Sequence, residues 1–334
     1  MKRIPLLIAA ACSVVAIGIT PARAAEHAPV TINLISAPFG TGSYVLSNAL
    51  EQISKTHPWL KIVSAESPGF VYNMKKLASQ PDLGKSLIIG SGPVVATLAT
   101  RGEKPFDKKY PPIKLLANYT LVAIWMATLN PEIKTISDLS GKKIALGRAP
   151  QINWAVEPRS VINYGYGIPS SKINIQYAGP KGAVAALKDG TVDAAVVGGY
   201  LDPKKSHIAL SPQTIEFVAS GRNIRYLGWT PEAVKKTVAK GIPIVPYTLP
   251  AKSFEGLNAS LPVFVDSVAW VASPKLPDEI AYEIAKLIIK NVNKFGEYSA
   301  VGKLMSPQAL VFGWDEKDIH PGALRAYKEA GILK

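Results

Sequence analysis

Strand-like and helix-like segments alternate along most of this chain. Three apolar, β-branched runs are each followed by a break that contains glycine or proline and then by a helical stretch. The predicted strands are 30–35, 60–65 and 87–90, and the helices that follow them are 44–55, 72–79 and 94–99. This rhythm is typical of βα units. It predicts an α/β fold with a largely parallel sheet.

The middle of the chain repeats the pattern, with strands predicted at 144–146, 173–177 and 193–197 and helices at 152–164 and 183–188. Near the C-terminus, residues 263–272 are strand-like, and a long helix with one apolar face begins at residues 277–279. The chain has 334 residues, and domains hold roughly 150 residues each. Two α/β units are therefore expected.

The first 24 residues have the pattern of a cleaved secretory signal peptide, with a positive start, an apolar run at 4–19 and Ala-Arg-Ala before the expected cleavage after Ala24. The apolar run is shorter than the ~20 residues that span a bilayer. Cleavage would remove Cys12, the single cysteine, which excludes cysteine-dependent catalysis in the mature protein. The mature chain would hold 35 basic against 24 acidic residues, a net charge of +11.

The positive charge is spread along the chain as isolated lysine pairs, at 75–76, 108–109, 142–143, 204–205 and 235–236. No basic stripe carries interleaved aromatic residues, so solvated surface lysines are predicted rather than a nucleic-acid groove. The four histidines lack a metal-ligand spacing, and no nucleophile elbow, zinc-protease or P-loop motif occurs. The sequence predicts neither a metal site, nor a cofactor, nor a catalytic site.

Two breaks between a strand and a helix are candidate ligand loops, residues 40–44 and 147–154. Free N–H groups and the helix dipole at such junctions favour a bound anion, and ligands of open α/β sheets lie beyond the carboxyl ends of the strands. The candidate binding residues in these loops are Thr41, Gly42, Ser43, Tyr44, Arg148, Gln151, Asn153 and Trp154. A tight turn alone would also explain either loop taken singly.

Arg148 is the candidate for pairing with a carboxylate in bidentate geometry. The alternative is a salt bridge at the surface or between lobes. The aromatic residues Trp154, Tyr44 and Tyr200 are candidates for the walls of a cleft that would accept a larger or aromatic acid, and core packing is the alternative for each.

Four segments resemble the TAXI family of solute receptors, the substrate-binding subunits of a class of TRAP transporters. Residues 320–331 read HPGALRAYKEAG and resemble the family's HPGA…YYKEAG ending. Residues 138–147 (DLSGKKIALG), 185–194 (AALKDGTVDA) and 245–250 (VPYTLP) resemble further family segments and occur in the family's order. Within these segments, Asp193 is predicted to form a turn or cap, and His320 to precede the last helix.

The resemblance implies a two-lobed periplasmic-binding-protein fold, type II-like, in which hinge strands join two α/β lobes and the ligand cleft lies between them. By similarity, the chain crosses between lobes at 121–129 and 263–272. One lobe would then comprise residues 25–128 with 263–334, and the other residues 129–262. The position of Asn73 in the family pattern adds it to the candidate binding residues.

The implied function is that of a periplasmic, non-enzymatic monomer without a cofactor. It would capture a small organic anion or amino acid (a dicarboxylate, an amino-acid-like solute or an aromatic acid) and deliver it to TRAP permease subunits. The loop at 147–154 reads GRAPQINW instead of the family's Gly/Ser/Thr-rich sequence, so the ligands of relatives are not carried over. The alternatives are an exported enzyme on the same architecture and a surface protein that binds anionic polymers.

Overall fold

The computed structural model describes residues 27–203 and 207–334. The predicted signal peptide and Cys12 lie outside the described residues. In the described ranges, the strands are β1 Val30–Ile35, β2 Leu60–Ala65, β3 Leu87–Ser91, β4 Lys114–Thr128, β5 Lys143–Leu146, β6 Asn174–Tyr177, β7 Ala194–Asp202, β8 His207–Leu210, β9 Arg225–Leu227, β10 Val245–Leu249 and β11 Leu261–Ala272. All of them belong to one continuous sheet.

Helices cover both faces of this sheet. They are α1 Gly42–Ser54, α2 Phe70–Ser79, α3 Pro93–Arg101, α4 Glu157–Ser160, α5 Gly179–Lys188, α6 Pro212–Val218, α7 Pro231–Ala239, α8 Asp278–Lys290, α9 Phe295–Tyr298 and α10 Pro321–Glu329. The short α4 is continuous with a π-helical turn on each side, Ile152–Val156 and Val161–Gly165. No helix in the described parts of the chain is long and apolar enough to cross a membrane.

The sheet has the strand order β2-β1-β3-β11-β4-β7-β5-β6. Strand β1 pairs in parallel with β2 and β3, and β5 pairs in parallel with β6 and β7. At the centre, β11 runs antiparallel to β3 and β4, and β4 runs antiparallel to β7. The expectation of a largely parallel sheet is therefore right for the two ends of the sheet and wrong for its centre. There, the long strand β4 leads the chain from the parallel group of β1, β2 and β3 to that of β5, β6 and β7, and β11 leads it back.

The two segments expected to cross between lobes lie side by side. Residues 121–129 fall almost wholly within β4 and residues 263–272 within β11, and Asp266 on β11 faces Val122 on β4. Nearly every residue of both strands is buried, because helices cover them on both faces. The lobe boundaries themselves stay a prediction.

Large aromatic side chains fill the core around these central strands. The indole of Trp229 donates a 2.8 Å hydrogen bond to the carbonyl oxygen of Ile124, and that of Trp270 donates one of 2.9 Å to the hydroxyl of Ser47. These bonds satisfy N–H groups that would otherwise be buried without a partner. The hydrogen bond from Trp270 also fixes the helix α1, which carries Ser47, against the middle of the sheet.

Strand β7 is longer than predicted. Its glycines at 198 and 199 were expected to end the strand, but it continues through Tyr200 to Asp202. A Cβ at Gly198 would lie 2.6 Å from the carbonyl oxygen of Ala123, and one at Gly199 would lie 2.7 Å from that of Ala209. These glycines therefore permit close approach of neighbouring strands instead of a chain break.

Asp193 and His320, which were predicted to have structural roles, both have one. A carboxylate oxygen of Asp193 accepts a 2.9 Å hydrogen bond from the backbone N–H of Lys143, which ties the start of β7 to β5. His320 is the N-cap residue of α10, with Pro321 in the first turn as predicted.

Candidate ligand-binding cleft

A cavity of about 480 Å³ lies where two helix starts in the first part of the chain face the loop before α4. Residues from the ranges 37–43 and 68–72 line one side, and residues from 148–154 line the other. The structure thus brings together six of the ten predicted site residues: Thr41, Ser43, Arg148, Gln151, Asn153 and Trp154.

The other four predicted residues do not line this cavity. Gly42 is the first residue of α1. The ring of Tyr44 packs on that of Phe39, with centroids 5.1 Å apart, and Phe39 is 76% exposed. Tyr200 lies in β7 opposite Val122, because the strand does not end at the preceding glycines.

Asn73 is completely buried under the cleft. Its side-chain N–H₂ donates hydrogen bonds of 2.7 Å and 2.9 Å to the carbonyl oxygens of Ser36 and Gly90. It therefore ties the end of β1 to β3, which is a structural role. Sequence reasoning missed the polar floor around it, where three buried side-chain oxygens have no hydrogen-bond partner among the described residues; they belong to Ser36, Asn73 and Ser91.

The start of α1 is capped by Thr41. Its hydroxyl donates to the carbonyl oxygen of Pro38 at 2.8 Å and accepts from the N–H of Tyr44 at 3.3 Å. This arrangement is an ordinary N-cap. Thr41 thus shapes the loop, and the neighbouring Ser43 lies in the first turn of the helix.

The start of α2 is open. Its N-cap residue, Gly69, has a φ of 124° and makes no side-chain capping hydrogen bond. Phe70 and the next two residues, which form the first turn, line the cavity. Neither α1 nor α2 has an acidic residue in its first turn. The positive ends of both helix dipoles therefore face the cavity without an acidic side chain in either first turn. The carboxylate of Glu66 lies beside the loop before α1, where it accepts a 3.3 Å hydrogen bond from the N–H of Phe39.

A third helical segment begins at Ile152 on the opposite side of the cavity. The side-chain oxygen of Gln151 accepts a 2.7 Å hydrogen bond from the N–H of Arg148, which fixes the loop before it. A Cβ at Gly147 would lie 2.5 Å from the Cβ of Trp154, so only glycine leaves room for the indole. The π-helical turn that follows is a conformation often found at functional sites.

Arg148 supplies the charge of the cleft. Its side chain is exposed, and its guanidinium makes no hydrogen bond or ion pair with any residue that the structure describes. The alternative role in a salt bridge is therefore not seen. No residue lining the cavity is acidic, and the guanidinium of Arg148 is a group in this lining that can pair with an anion.

A buried carboxyl pair lies behind Asn153, and sequence reasoning missed it. The side-chain N–H₂ of Asn153 donates to Asp266 Oδ2 at 2.8 Å and to Glu157 Oε1 at 3.2 Å. Glu157 is 0% exposed and Asp266 is 4% exposed. A signal existed, because each acid interrupts an apolar segment, AVEPRSVI at 155–162 and VFVDSVAW at 263–270, and a buried charge needs a partner.

Burial raises the pKa of both acids. The pKa of Glu157 lies well above its ordinary value because of burial first and the charge of Asp266 second. Burial raises the pKa of Asp266 to about 6, against the opposing effect of a hydrogen bond from Glu157. Burial disfavours two negative charges at this site, so the pair holds a shared proton in preference to two ionised carboxylates.

The described residues do not provide a cluster of metal ligands. Within residues 27–203 and 207–334, no group of three or more His, Cys, Asp or Glu residues is placed to hold a metal ion. The Glu157–Asp266 pair contains two acids and is occupied by Asn153. The site chemistry available in the described chain is therefore that of hydrogen bonding, helix dipoles and one guanidinium.

Comparison with solved structures gives the fold. The chain is similar to a TctC solute-binding protein from Polaromonas, at 12% identity and a TM-score of 0.52, over 91% of this chain and 98% of that one. It is also similar to a periplasmic transporter, at 15% identity and a TM-score of 0.48, over 90% of this chain and 94% of that one. A further similar structure is MatC from Rhodopseudomonas palustris with bound malate, at 13% identity and a TM-score of 0.46, over 90% of this chain and 96% of that one. Of these three structures, only the TctC protein has a TM-score above 0.5. The likeness to it shows that this chain has the two-lobed fold of periplasmic solute-binding proteins.

Comparison with protein families matches nearly the whole described chain. The model of the NMT1-like family matches residues 34–331, which include the cavity-lining loops, the central strands and the C-terminal helices. The chain therefore belongs to the NMT1-like family.

Proposed function

We propose that this protein is an extracytoplasmic solute receptor that binds a small carboxylated organic solute in the cleft between its two predicted lobes. The observation that carries the proposal is the convergence of three helix starts and the unpaired guanidinium of Arg148 on one cavity without an acidic lining residue. Helix N-termini and arginine are the groups that bind carboxylates in proteins.

The remaining lining favours an apolar body on the solute. Phe70, Tyr72 and Trp154 contribute aromatic surface, and prolines at 38, 68 and 150 contribute further apolar surface. A cavity of about 480 Å³ is in the range that holds a small organic molecule. The solute class supported by this lining is therefore an organic acid with a hydrocarbon or aromatic part.

The lining also supports a closing mechanism. One wall comes from residues 37–72, in the predicted lobe 25–128 with 263–334, and the other from residues 148–154, in the predicted lobe 129–262. A solute bound between them contacts both lobes, so it stabilises the closed form relative to the open form. In this mechanism the closed form is the one that the membrane permease recognises, and the solute is bound without being transformed.

The identity of the solute can be tested directly. Mass spectrometry of small molecules released from gently purified protein should show an organic acid, and calorimetry with that compound should show stoichiometric binding. A protein that releases no organic acid, and whose melting temperature is unmoved by a broad panel of organic acids and amino acids, would contradict the receptor function.

We further propose that the receptor serves a TRAP permease of the TAXI type and works as a periplasmic monomer. The sequence segments at 138–147, 185–194 and 320–331 support this finer assignment. Uptake of the identified solute by cells should require both this chain and TRAP permease subunits. Uptake that persists without the TRAP permease but needs this chain would place the receptor with another transporter class. Sequencing the N-terminus of the exported protein tests cleavage after Ala24.

A further inference from the structure

We propose that Asn153 presents its amide oxygen to the cavity as a fixed hydrogen-bond acceptor, and that the preferred solute is consequently an organic anion that also carries a hydroxyl or ammonium group. The inference rests on the proposed function, because it names the class of solute bound in the same cleft. It assigns Asn153 a role in specificity that is separate from the binding of the carboxylate by Arg148.

The orientation of the Asn153 amide follows from its two acidic neighbours. Its nitrogen lies 2.8 Å from Asp266 Oδ2 and 3.2 Å from Glu157 Oε1. An amide nitrogen only donates hydrogen bonds, and the carboxyl oxygens of the two acids that lie within 3.4 Å of it are acceptors. A reversed amide would place two acceptor oxygens 2.8 Å apart, so both N–H groups of Asn153 are directed at the acids.

The oxygen of the amide is the end that is left for a solute. Asn153 lines the cavity and is 9% exposed, whereas both acids lie behind it in the core. No donor among the described residues forms a hydrogen bond with Asn153 Oδ1. The cleft therefore combines donors for an anion, at Arg148 and the helix starts, with one buried acceptor.

Asn153 is held from two separate elements, which makes the acceptor rigid. Glu157 follows it by one turn in the same helical segment, while Asp266 lies on the central strand β11. The side-chain N–H₂ of Asn153 bridges these two elements. A solute without a donor would leave Asn153 Oδ1 unpaired in the closed cleft, and sites of this kind reject such analogues strongly.

Matched pairs of acids test the inference by calorimetry. The pairs are succinate with malate, glutarate with glutamate, and 3-phenylpropionate with 3-phenyllactate; the second member adds a hydroxyl or ammonium group. In any pair that binds, the second member should bind at least about tenfold more tightly, which corresponds to one hydrogen bond. Equal affinities within a pair would overturn the inference. Failure of every acid to bind would instead contradict the proposed function on which it rests.

Two variants separate the acceptor from its positioning. Asn153→Leu removes the acceptor, and the preference within a pair should fall below about threefold. Asp266→Asn introduces an amide that can donate to Asn153 Oδ1 and reverse it, so the preference should shrink although Asn153 is retained. Asn174→Leu, at an exposed position on β6, is the control and should keep the full preference. A tenfold preference retained by Asn153→Leu would overturn the inference.

A measurement without solute tests the amide orientation even where a variant fails to fold. In side-chain ¹H–¹⁵N spectra, the Asn153 N–H₂ signals, assigned by triple-resonance experiments on the wild-type protein, should be protected from hydrogen exchange because the amide nitrogen is bonded to buried acids. Rapid exchange of these protons in the wild-type protein would overturn the orientation.

Discussion

Glu157 and Asp266 form a buried carboxyl pair that is bridged by the side-chain N–H₂ of Asn153, whose nitrogen lies 2.8 Å from Asp266 Oδ2 and 3.2 Å from Glu157 Oε1. No lysine, arginine or histidine contributes to the raised pKa of either acid among the described residues; the groups that face them are Asn153 and the backbone N–H of Ser267. The folded protein therefore binds protons that the unfolded chain releases above about pH 4.

The first prediction is that the contribution of this pair to the free energy of unfolding falls as the pH rises from about 4 through the Asp266 pKa of about 6. Both acids have a raised pKa in the folded state, so the stability that their protons provide is lost as the pH rises. Each extra proton bound by the folded state contributes a slope of about 1.4 kcal/mol per pH unit. Glu157→Gln cannot ionise at that position, so its melting temperature should gain on the wild type as the pH rises. The exposed Glu232→Gln is the control; parallel pH profiles for wild type and Glu157→Gln would contradict the prediction.

A second prediction concerns Arg148. Replacing it by alanine should weaken binding of the identified solute by about tenfold or more, because a charge-assisted contact with a carboxylate is lost. Arg159→Ala is the matched control, since that guanidinium hydrogen-bonds the hydroxyl of Tyr177 at 3.2 Å and does not line the cavity. Calorimetry should show unchanged affinity for Arg159→Ala. Equal affinities for both variants would remove Arg148 from the site.

Gly147→Ala should weaken solute binding by displacing Trp154. The added methyl group would lie 2.5 Å from the Trp154 Cβ and 2.7 Å from the side-chain oxygen of Gln151, so the loop must shift. Gly182→Ala, within α5, is a control in which the methyl group meets only Ala178 Cβ at 3.0 Å. Binding affinity and tryptophan fluorescence would report the difference. A Gly147→Ala protein with native affinity and fluorescence would show that the loop tolerates the clash.

Asn73→Ala should destabilise the fold by about 2 kcal/mol or more. The change leaves the buried carbonyl oxygens of Ser36 and Gly90 without their hydrogen bonds, and each such group costs about 1–3 kcal/mol. Asn174→Ala, at an exposed site on β6, should change stability little. Denaturant unfolding of the two variants makes the comparison. Equal stabilities would contradict the structural role assigned to Asn73.

Much of the first half of the fold follows from local sequence. Strands β1 and β2 have the predicted bounds, because each is a short apolar run closed by turn residues. The prediction omits β8, β9 and β10, because runs of three to five residues are too short to be distinguished from loops by pattern. Strands β8 and β10 pair with the strand next to them in the chain, whereas β9 pairs with the distant β4, which a local pattern cannot show.

The candidate site shows the same division. Thr41, Ser43 and Arg148 could be found because a break between strand and helix is visible in the sequence. The contact between Asn153 and Asp266 joins residues 113 positions apart, and only the placement of β11 brings them together. Tyr200 lies within β7, because Gly198 and Gly199 are positions of close strand packing through which the strand continues.

The position of β11 also determines when the protein can fold. This strand is inserted between β3 and β4, although it comes last of all the described strands in chain order. Until residues 261–272 are available, β3 and β4 each have an open edge that faces water. The centre of the sheet can therefore assemble only after almost the whole chain is present. A chain with this order of strands therefore completes its central sheet late in folding.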